Sequence, residues 1–391
     1  MSVQKLIKKE LLAMGGGSGT RVNVAPDPKL INLGAGDPDF NQPEFINKAV
    51  YDAMKEGKTH YSFTGEPVFR KAIAEYYSKF GYTIKDSVGQ IAIESGGSQA
   101  IFRAFGAIFN PGDELILNEP TYGGYTQPAA YFGAKVVKAP MTIAKDGIYR
   151  PSIENLRKAI TPKTKAFLYC NPDNPAGTVY TESELKHIAE ICIEHDIVAI
   201  ADEIYVEFLW GNHKHKGIIG MKGMEDRSLV LMSFSKTFAW TGLRAGFVLG
   251  GPEIMKYVNQ VPIGICGMPV PFQVAAAKAL TSKEGWDFVA MMRTEYKKRV
   301  DLFVKRLNEM PGVTCPYPEG TFYVFPDISG VGMKSADFAA GLFKDESIRG
   351  AAGSGYGLNG EDHIRFALVV PYDKCIEACD RIERFVKKNK K

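Results

Sequence analysis

The stretch LVLMSFSKTFAWTGLRAG, residues 229–246, decides the fold of this chain. It opens with four apolar residues, as expected of a strand that is buried on both faces of a sheet. Lys236 follows that strand among hydroxyl and aromatic side chains. A lysine in such surroundings can lose its water, which lowers its pKa and makes the amine a nucleophile for carbonyl groups. Ser233, Ser235 and Arg244 would suit a phosphate group. The alternative is a surface lysine on a loop.

Further short apolar runs on both sides of this stretch predict buried strands, at Glu114–Leu117, Ala166–Tyr169, Ile197–Ala201 and Gly246–Leu249. Amphipathic helix patterns lie between several of them, such as Glu182–His195, which Thr181 is placed to cap. This alternation predicts an α/β fold with a mostly parallel central sheet covered by helices.

The pattern changes near residue 270. Phe272–Leu307 is predicted to be almost entirely helical, and short aromatic strands and a terminal helix from Tyr372 follow it. These elements predict a smaller α+β domain. We expect the large domain to span 46–285, and the small domain to combine 1–45 with 286–391.

The amino-acid composition excludes several classes of protein. The chain has 391 residues, 45% hydrophobic and 24% charged, which excludes a disordered chain, a collagen-like repeat and a coiled coil. Forty-eight Lys and Arg against 44 Asp and Glu leave a net charge of +4, which is no nucleic-acid signature. The sequence contains no uncharged apolar run of about 18 residues, so no membrane span is expected.

Cysteine and histidine usage indicates the compartment and argues against a metal site. The chain has six cysteines without a CxxC pair, so we expect free thiols in a reducing compartment. Six histidines without an HExxH motif give no support for a bound metal. The N-terminus lacks the apolar core of a signal peptide, so a cytoplasmic protein is predicted.

Polar clusters follow several of the predicted strands. Ligands of parallel sheets bind at this position, beyond the carboxyl ends of the strands. NPDNPAG, residues 171–177, follows one strand, and Asp202 and Tyr205 follow the next. Gly97 and Ser98 open a predicted helix whose backbone amides could hold an anion. The alternatives are an ordinary turn, a salt bridge or helix cap at the aspartate, and a plain capped helix.

Together these segments resemble the class I/II aminotransferases, which are fold-type-I enzymes that use pyridoxal 5′-phosphate (PLP). The resemblance runs from Ile31 to the terminal helix and is carried by three motifs in order: NPDNPAG, ADEIY at 201–205 and SFSKTFAWTGLRAG at 233–246. It implies the PLP-dependent transferase fold of type I.

The resemblance implies three catalytic residues, Lys236, Asp202 and Tyr205. Lys236 would bind the PLP aldehyde and, once substrate displaces it, move a proton as general base and acid. Asp202 would keep the pyridine nitrogen protonated, while Asn174 and Tyr205 would bind the ring oxygen. Tyr122 would stack on the ring, or is a core aromatic instead.

The resemblance also implies the phosphate ligands, which are the amides of Gly97 and Ser98 and the side chains of Ser233, Ser235 and Arg244. Tyr61 would reach the phosphate of a neighbouring subunit, which implies a homodimer with shared sites.

For the substrate, the resemblance implies that Arg365 clamps the α-carboxylate through two parallel hydrogen bonds. The alternative is an arginine on a surface strand. Gly36 would lie with its backbone beside the substrate, and Tyr122 and Asn174 would border it as well.

Two features depart from the family pattern. Ala176 stands where threonine is usual. No arginine occurs around Pro262–Met268, so binding of a dicarboxylate would need another cation, for which Arg21 is a candidate. The nearby Gly15–Gly19 segment is either a lid over the site or a flexible linker.

The leading hypothesis is a ping-pong aminotransferase that moves an amino group from an L-amino acid, aspartate or aromatic, to a 2-oxo acid such as 2-oxoglutarate. The alternatives are a PLP-dependent lyase or synthase, such as a C–S β-lyase, and a PLP-binding regulator without turnover. The cofactor shell is nearly the same for all of these, so the sequence alone discriminates poorly between them.

Overall fold

A computed structural model describes residues 7–13, 27–263 and 267–390. The strands of this part are β1 Ile31–Asn32, β2 Ile91–Glu94, β3 Glu114–Glu119, β4 Lys135–Pro140, β5 Thr142–Ile143, β6 Tyr149–Arg150, β7 Thr164–Cys170, β8 Val198–Asp202, β9 Ser228–Ser233, β10 Gly246–Gly250, β11 Tyr323–Val324, β12 Ile348–Arg349, β13 Ala351–Ala352 and β14 Ile364–Ala367. Its α-helices are α1 Lys9–Ala13, α2 Glu44–Lys55, α3 Pro67–Ser78, α4 Gly97–Ile108, α5 Thr126–Tyr131, α6 Ile153–Ala159, α7 Glu182–Glu194, α8 Phe234–Thr237, α9 Pro252–Val258, α10 Val270–Thr281, α11 Lys283–Asn308, α12 Ser335–Glu346 and α13 Tyr372–Asn389.

Seven strands form the central sheet, in the order β2-β10-β9-β8-β7-β3-β4. The neighbours from β9 to β4 pair in parallel, whereas β10 is antiparallel to both β9 and β2. The prediction of a mostly parallel sheet is therefore confirmed. The five predicted strands all form, with ends that differ by no more than two residues.

The sheet is covered by helices on both faces, because side chains of a strand alternate between its two sides. Leu229 and Leu231 of β9 pack in one core cluster with residues of α4 and α9. Val230 and Met232 belong to another cluster, which includes α3 and α10. Both faces are apolar, which explains why these strands are continuous hydrophobic runs.

The helix predicted over Phe272–Leu307 is wrong as one continuous element. The chain leaves helical geometry at Ser282, whose φ of −92° and ψ of 151° are extended, and whose hydroxyl accepts a hydrogen bond from the Gly285 amide. Two helices, α10 and α11, result. Ser282 is a good N-cap, and the apolar pattern continues across it, so periodicity alone does not reveal the break.

The C-terminal part has a separate three-stranded sheet, β11-β14-β13, with α12 and α13 beside it. The N-terminal strand β1 pairs in parallel with β12 of this part, Ile31 opposite Ile348. The long helix α11 crosses residue 285. The domain limits 46–285, and 1–45 with 286–391, remain a prediction.

Within the described ranges, no helix is both long and apolar enough to cross a bilayer.

Candidate active site

The candidate site lies at the carboxyl ends of three adjacent strands, β7, β8 and β9. Cys170 of β7 pairs with Asp202 of β8, and β9 ends at Ser233 beside them. A cavity of about 420 Å3 opens there. It brings together nearly every residue expected from the sequence, namely Gly36, Gly97, Ser98, Tyr122, Asn174, Asp202, Tyr205, Ser233, Ser235, Lys236, Arg244 and Arg365.

Lys236 lies in the short helix α8, one turn that starts where β9 ends. Its Nζ donates a hydrogen bond to the carbonyl of Gly36, which arrives from the N-terminal segment. Burial lowers the pKa of Lys236 to about 8, against the attraction of Asp37. About a tenth of the amine is therefore neutral, and nucleophilic, at pH 7.

Asp202 is a buried carboxylate whose Oδ2 accepts a hydrogen bond of 2.7 Å from the Tyr125 hydroxyl. Its Oδ1 accepts from the amide of Ile204 at 3.3 Å. Burial raises the pKa of Asp202 to about 6, and the bond from Tyr125 works in the opposite direction. A cation that faces this carboxylate would compensate the lost hydration and favour its charged form.

An anion cradle lies at the N-terminus of α4, which begins at Gly97. The preceding Gly96 has a φ of 87°, and a Cβ there would lie 2.7 Å from Nη2 of Arg244, so only glycine lets the arginine approach. Nη1 and Nη2 of Arg244 donate to the carbonyls of Thr241 and Ser95. Ser233 donates to the hydroxyl of Ser235 at 2.8 Å. Backbone amides, two hydroxyls and a guanidinium thus lie together, and such donors can bind the oxygens of a phosphate.

Arg365 is buried on β14, so the alternative of a surface arginine does not hold. Its Nη1 donates to Oδ1 of Asn174 at 3.0 Å, while Nη2 donates to the carbonyl of Gly34. The guanidinium lies 4.4 Å from the ring centre of Tyr323. These contacts fix the plane of the guanidinium, as bidentate recognition of a carboxylate requires.

Tyr122 and Tyr205 line the same cavity, whereas Tyr61 does not. Tyr122 is 42% exposed, so it is not a core aromatic, and its ring meets that of Tyr125 edge-on at 5.3 Å. The Tyr205 hydroxyl lies 2.9 Å from that of Tyr323. Tyr61 is 76% exposed in the single chain.

Sequence reasoning missed Tyr125 and Tyr323. Tyr323 lies in the apolar run Phe322–Phe325, where no local pattern distinguishes it from a core tyrosine. Tyr125 stands three residues after Tyr122, a spacing that places both on one side of a helical turn. That spacing is the signal that could have identified it.

Two expectations lie outside the described residues, namely Arg21 as a second cation and Gly15–Gly19 as lid or linker. In the part of the chain that the structure describes, no group of three or more His, Cys, Asp or Glu residues could hold a metal ion.

The residues present fit PLP. A buried carboxylate at Asp202, an amine of lowered pKa at Lys236 and a glycine cradle closed by Arg244 match its ring nitrogen, aldehyde and phosphate. The fold and the site together define a PLP-dependent enzyme of fold type I.

Comparison with known proteins identifies the family. The family model "Aminotransferase class I and II" matches residues 28–382, so the chain belongs to this family of PLP-dependent transferases. It is 35% identical over 363 residues to aromatic-amino-acid aminotransferase 2 of Thermococcus litoralis, covering 92% of each chain. It is also 35% identical to an aspartate aminotransferase of Pyrococcus abyssi, covering 92% of each. The crystal structure of an aromatic aminotransferase from Pyrococcus horikoshii OT3 superimposes with a TM-score of 0.88 at 34% identity, covering 92% of this chain and 96% of that one.

Proposed function

We propose that this enzyme transfers the amino group of an L-amino acid to a 2-oxo acid such as 2-oxoglutarate by a ping-pong mechanism. The observation that carries the proposal is one cavity in which the Lys236 amine, with its pKa lowered to about 8, lies with Asp202 and the buried Arg365. A proton carrier, a partner for the ring nitrogen and a carboxylate clamp are what transamination of an amino acid requires.

PLP, when bound, supplies an aldehyde for the substrate amine and a ring that takes up electrons. We assign Lys236 to moving the proton at the substrate α-carbon, and Asp202 to holding the proton on the ring nitrogen. Tyr205 and Asn174 hold the ring oxygen, and Tyr122 covers one face of the ring. Arg365 binds the α-carboxylate beside the backbone of Gly36. The phosphate is assigned to Gly97, Ser98, Ser233, Ser235 and Arg244.

The donor is proposed to be an aromatic amino acid or aspartate, the two kinds of substrate named for the relatives. Around the described cavity the cations are Lys236, Arg244 and Arg365, and each already has a role. No described cation is therefore left for a second carboxylate. This favours the aromatic donor over aspartate.

The test is the absorption spectrum of the purified holoenzyme after addition of one L-amino acid at a time, without any oxo acid. We expect phenylalanine or tyrosine to convert the cofactor from its aldehyde to its amine form, with a free 2-oxo acid in equal amount. Conversion by aspartate alone would contradict the aromatic assignment. Release of pyruvate and ammonia from a cysteine conjugate without conversion would indicate the lyase instead.

We further propose a homodimer in which Tyr61 reaches the neighbouring phosphate. Tyr61 and Phe63 are 76% and 79% exposed in the single chain, and both border a groove of about 1110 Å3. Large aromatic side chains that are this exposed are typical of an interface.

Mixed dimers test the sharing of sites. Lys236→Ala and Tyr61→Ala should each lower activity, because each removes a ligand of both sites in its homodimer. A dimer that combines the two variants should contain one complete site and regain up to about half of the wild-type activity per dimer. If mixing restores nothing although heterodimers form, Tyr61 belongs to its own chain's site.

A cytoplasmic location is proposed as well. The five cysteines that the structure describes are free and buried, which suits a reducing compartment. Cell fractionation would test this assignment.

A further inference from the structure

A second cleft, of about 1090 Å3, lies apart from the candidate active site. Its walls are the turn after α3, the segment between Val206 and Lys216, and one side of α11 around Arg293 and Lys297. It shares no lining residue with the active-site cavity or with the groove beside Tyr61.

The lining of the cleft contains more cations than carboxylates. Two carboxylates, Glu207 and Asp301, line it together with six permanent cations, which are Lys79, Lys214, Lys216, Arg293, Lys297 and Lys298. The surplus of four equals the formal net charge of the whole chain, +4. The remainder of the chain therefore carries no formal net charge.

Three of the six cations are already paired with carboxylates, because Lys297 binds Asp301, Lys298 lies 3.0 Å from Glu295 and Lys216 lies 3.6 Å from Glu182. Glu207 accepts a hydrogen bond from the Tyr76 hydroxyl at 2.7 Å. Asp301 accepts from Lys297 at 2.8 Å and from Tyr317 at 2.5 Å. Within the described residues, Lys214 and Arg293 have neither an ion pair nor a side-chain hydrogen bond. Two cations at the cleft thus have no internal partner.

One wall of the cleft contains a buried polar side chain, His215. The side chain of His215 is 1% exposed, with Nε2 3.1 Å from Oε2 of Glu203. Neither ring nitrogen has a hydrogen-bond partner in the part of the chain that the structure describes. Phe80 lies edge-on against the imidazole at 4.9 Å, and Trp210 lines the cleft nearby. The buried imidazole therefore forms part of the cleft wall.

We propose that this cleft binds a small polyanion, a compound with two or more phosphate groups. Several lysine ammonium groups with one guanidinium suit phosphate oxygens, because lysine acts as a point charge that does not demand the planar geometry of a carboxylate. A nucleic acid fits less well, since the residues outside the cleft carry no formal net positive charge.

Calorimetric titration of the PLP-loaded enzyme with inorganic tripolyphosphate at low ionic strength tests the proposal. The loaded form is used so that the phosphate cradle of the active site is occupied. We expect one site per chain, and the double variant Lys214→Gln/Arg293→Gln should bind at least about tenfold more weakly, since two charge-assisted contacts are lost.

The matched control is Lys163→Gln/Lys344→Gln, which removes the same charge from exposed positions outside the cleft. This control should keep the wild-type affinity. Equal weakening in both double variants would indicate a diffuse charge effect and overturn the proposal. Absence of binding to the wild type, or a change in the PLP spectrum on titration that reports displacement of the cofactor, would overturn it as well.

Discussion

At the scale of single residues, the role proposed for Lys236 depends on its burial, which lowers the pKa of its amine to about 8. The neutral amine attacks an aldehyde, so the rate at which the apoenzyme incorporates PLP should rise with pH and level off above about pH 9. From pH 7 to 8 the neutral fraction grows about fivefold. Stopped-flow absorption would measure this profile.

A lysine whose pKa is not lowered would give a different pH profile of PLP incorporation. With an ordinary pKa near 10.4, the rate would rise tenfold per pH unit and show no plateau below about pH 10. Observing that profile would contradict the argument from burial. Free lysine with PLP under the same conditions is the reference reaction.

Tyr323 connects two groups of the candidate site, since its hydroxyl contacts that of Tyr205 and its ring lies under the Arg365 guanidinium. Tyr323→Phe should lower kcat about fivefold, the value of one hydrogen bond, and change KM little because the ring remains. The pH at which the spectrum of the bound cofactor changes should also move, because Tyr205 loses its fixed partner.

The control for this prediction is Tyr323→Ala, which removes the ring as well. This variant should raise KM in addition, because the guanidinium loses its aromatic support. A Tyr323→Phe enzyme with unchanged kcat and an unchanged spectral pH midpoint would show that the contact between hydroxyls has no positioning role.

At the scale of elements, α11 shows where packing overrules helix propensity. Gly285 lies in its first turn, and an alanine there should stabilise the isolated helix by about 1 kcal/mol. A Cβ at Gly285 would, however, lie 2.0 Å from the carbonyl oxygen of Ala279 in α10. We therefore expect Gly285→Ala to lower the free energy of unfolding by about 2 kcal/mol, as overpacking does.

Urea denaturation checks this value against Gly355→Ala, where an added Cβ meets nothing within 4 Å. That control should change stability by less than about 0.5 kcal/mol. A stabilised Gly285→Ala protein would mean that α10 and α11 separate more easily than their contact suggests.

The elements also differ in how well the sequence predicted them. Strands such as β9 were found because residues buried on both sides leave a continuous apolar run. The break between α10 and α11 was missed, since a cap at Ser282 interrupts the hydrogen bonds but not the apolar periodicity. A local pattern reports burial better than it reports where a helix ends.

At the scale of the whole molecule, the exposed patch of Tyr61 and Phe63 should support association of two chains. Phe63→Glu would place a charge in the proposed interface, so we expect monomers in sedimentation velocity at micromolar concentration. PLP should also be retained more weakly, because Tyr61 then reaches no neighbour.

Ile143→Glu is the matched control for that experiment. Ile143 is 56% exposed on β5, away from the groove, so this variant should keep the wild-type oligomeric state. A dimer that survives Phe63→Glu would place the interface on another surface.

The sequence by itself determined the strands and the α/β class, and it predicted which groups are reactive. Asp202 ends a buried strand, and Lys236 and Asn174 follow two neighbouring ones, so parallel strands carry these residues to one edge of the sheet. These relations are local in the chain, so a linear pattern can express them.

Only the tertiary structure decided the partners that tune those groups. Lys236 donates to Gly36, Asp202 accepts from Tyr125, and Tyr205 meets Tyr323, each across more than 70 residues of chain. Such contacts follow from how helices and loops pack over the sheet. The same packing removes water from the amine and the carboxylate, and this burial shifts their pKa values.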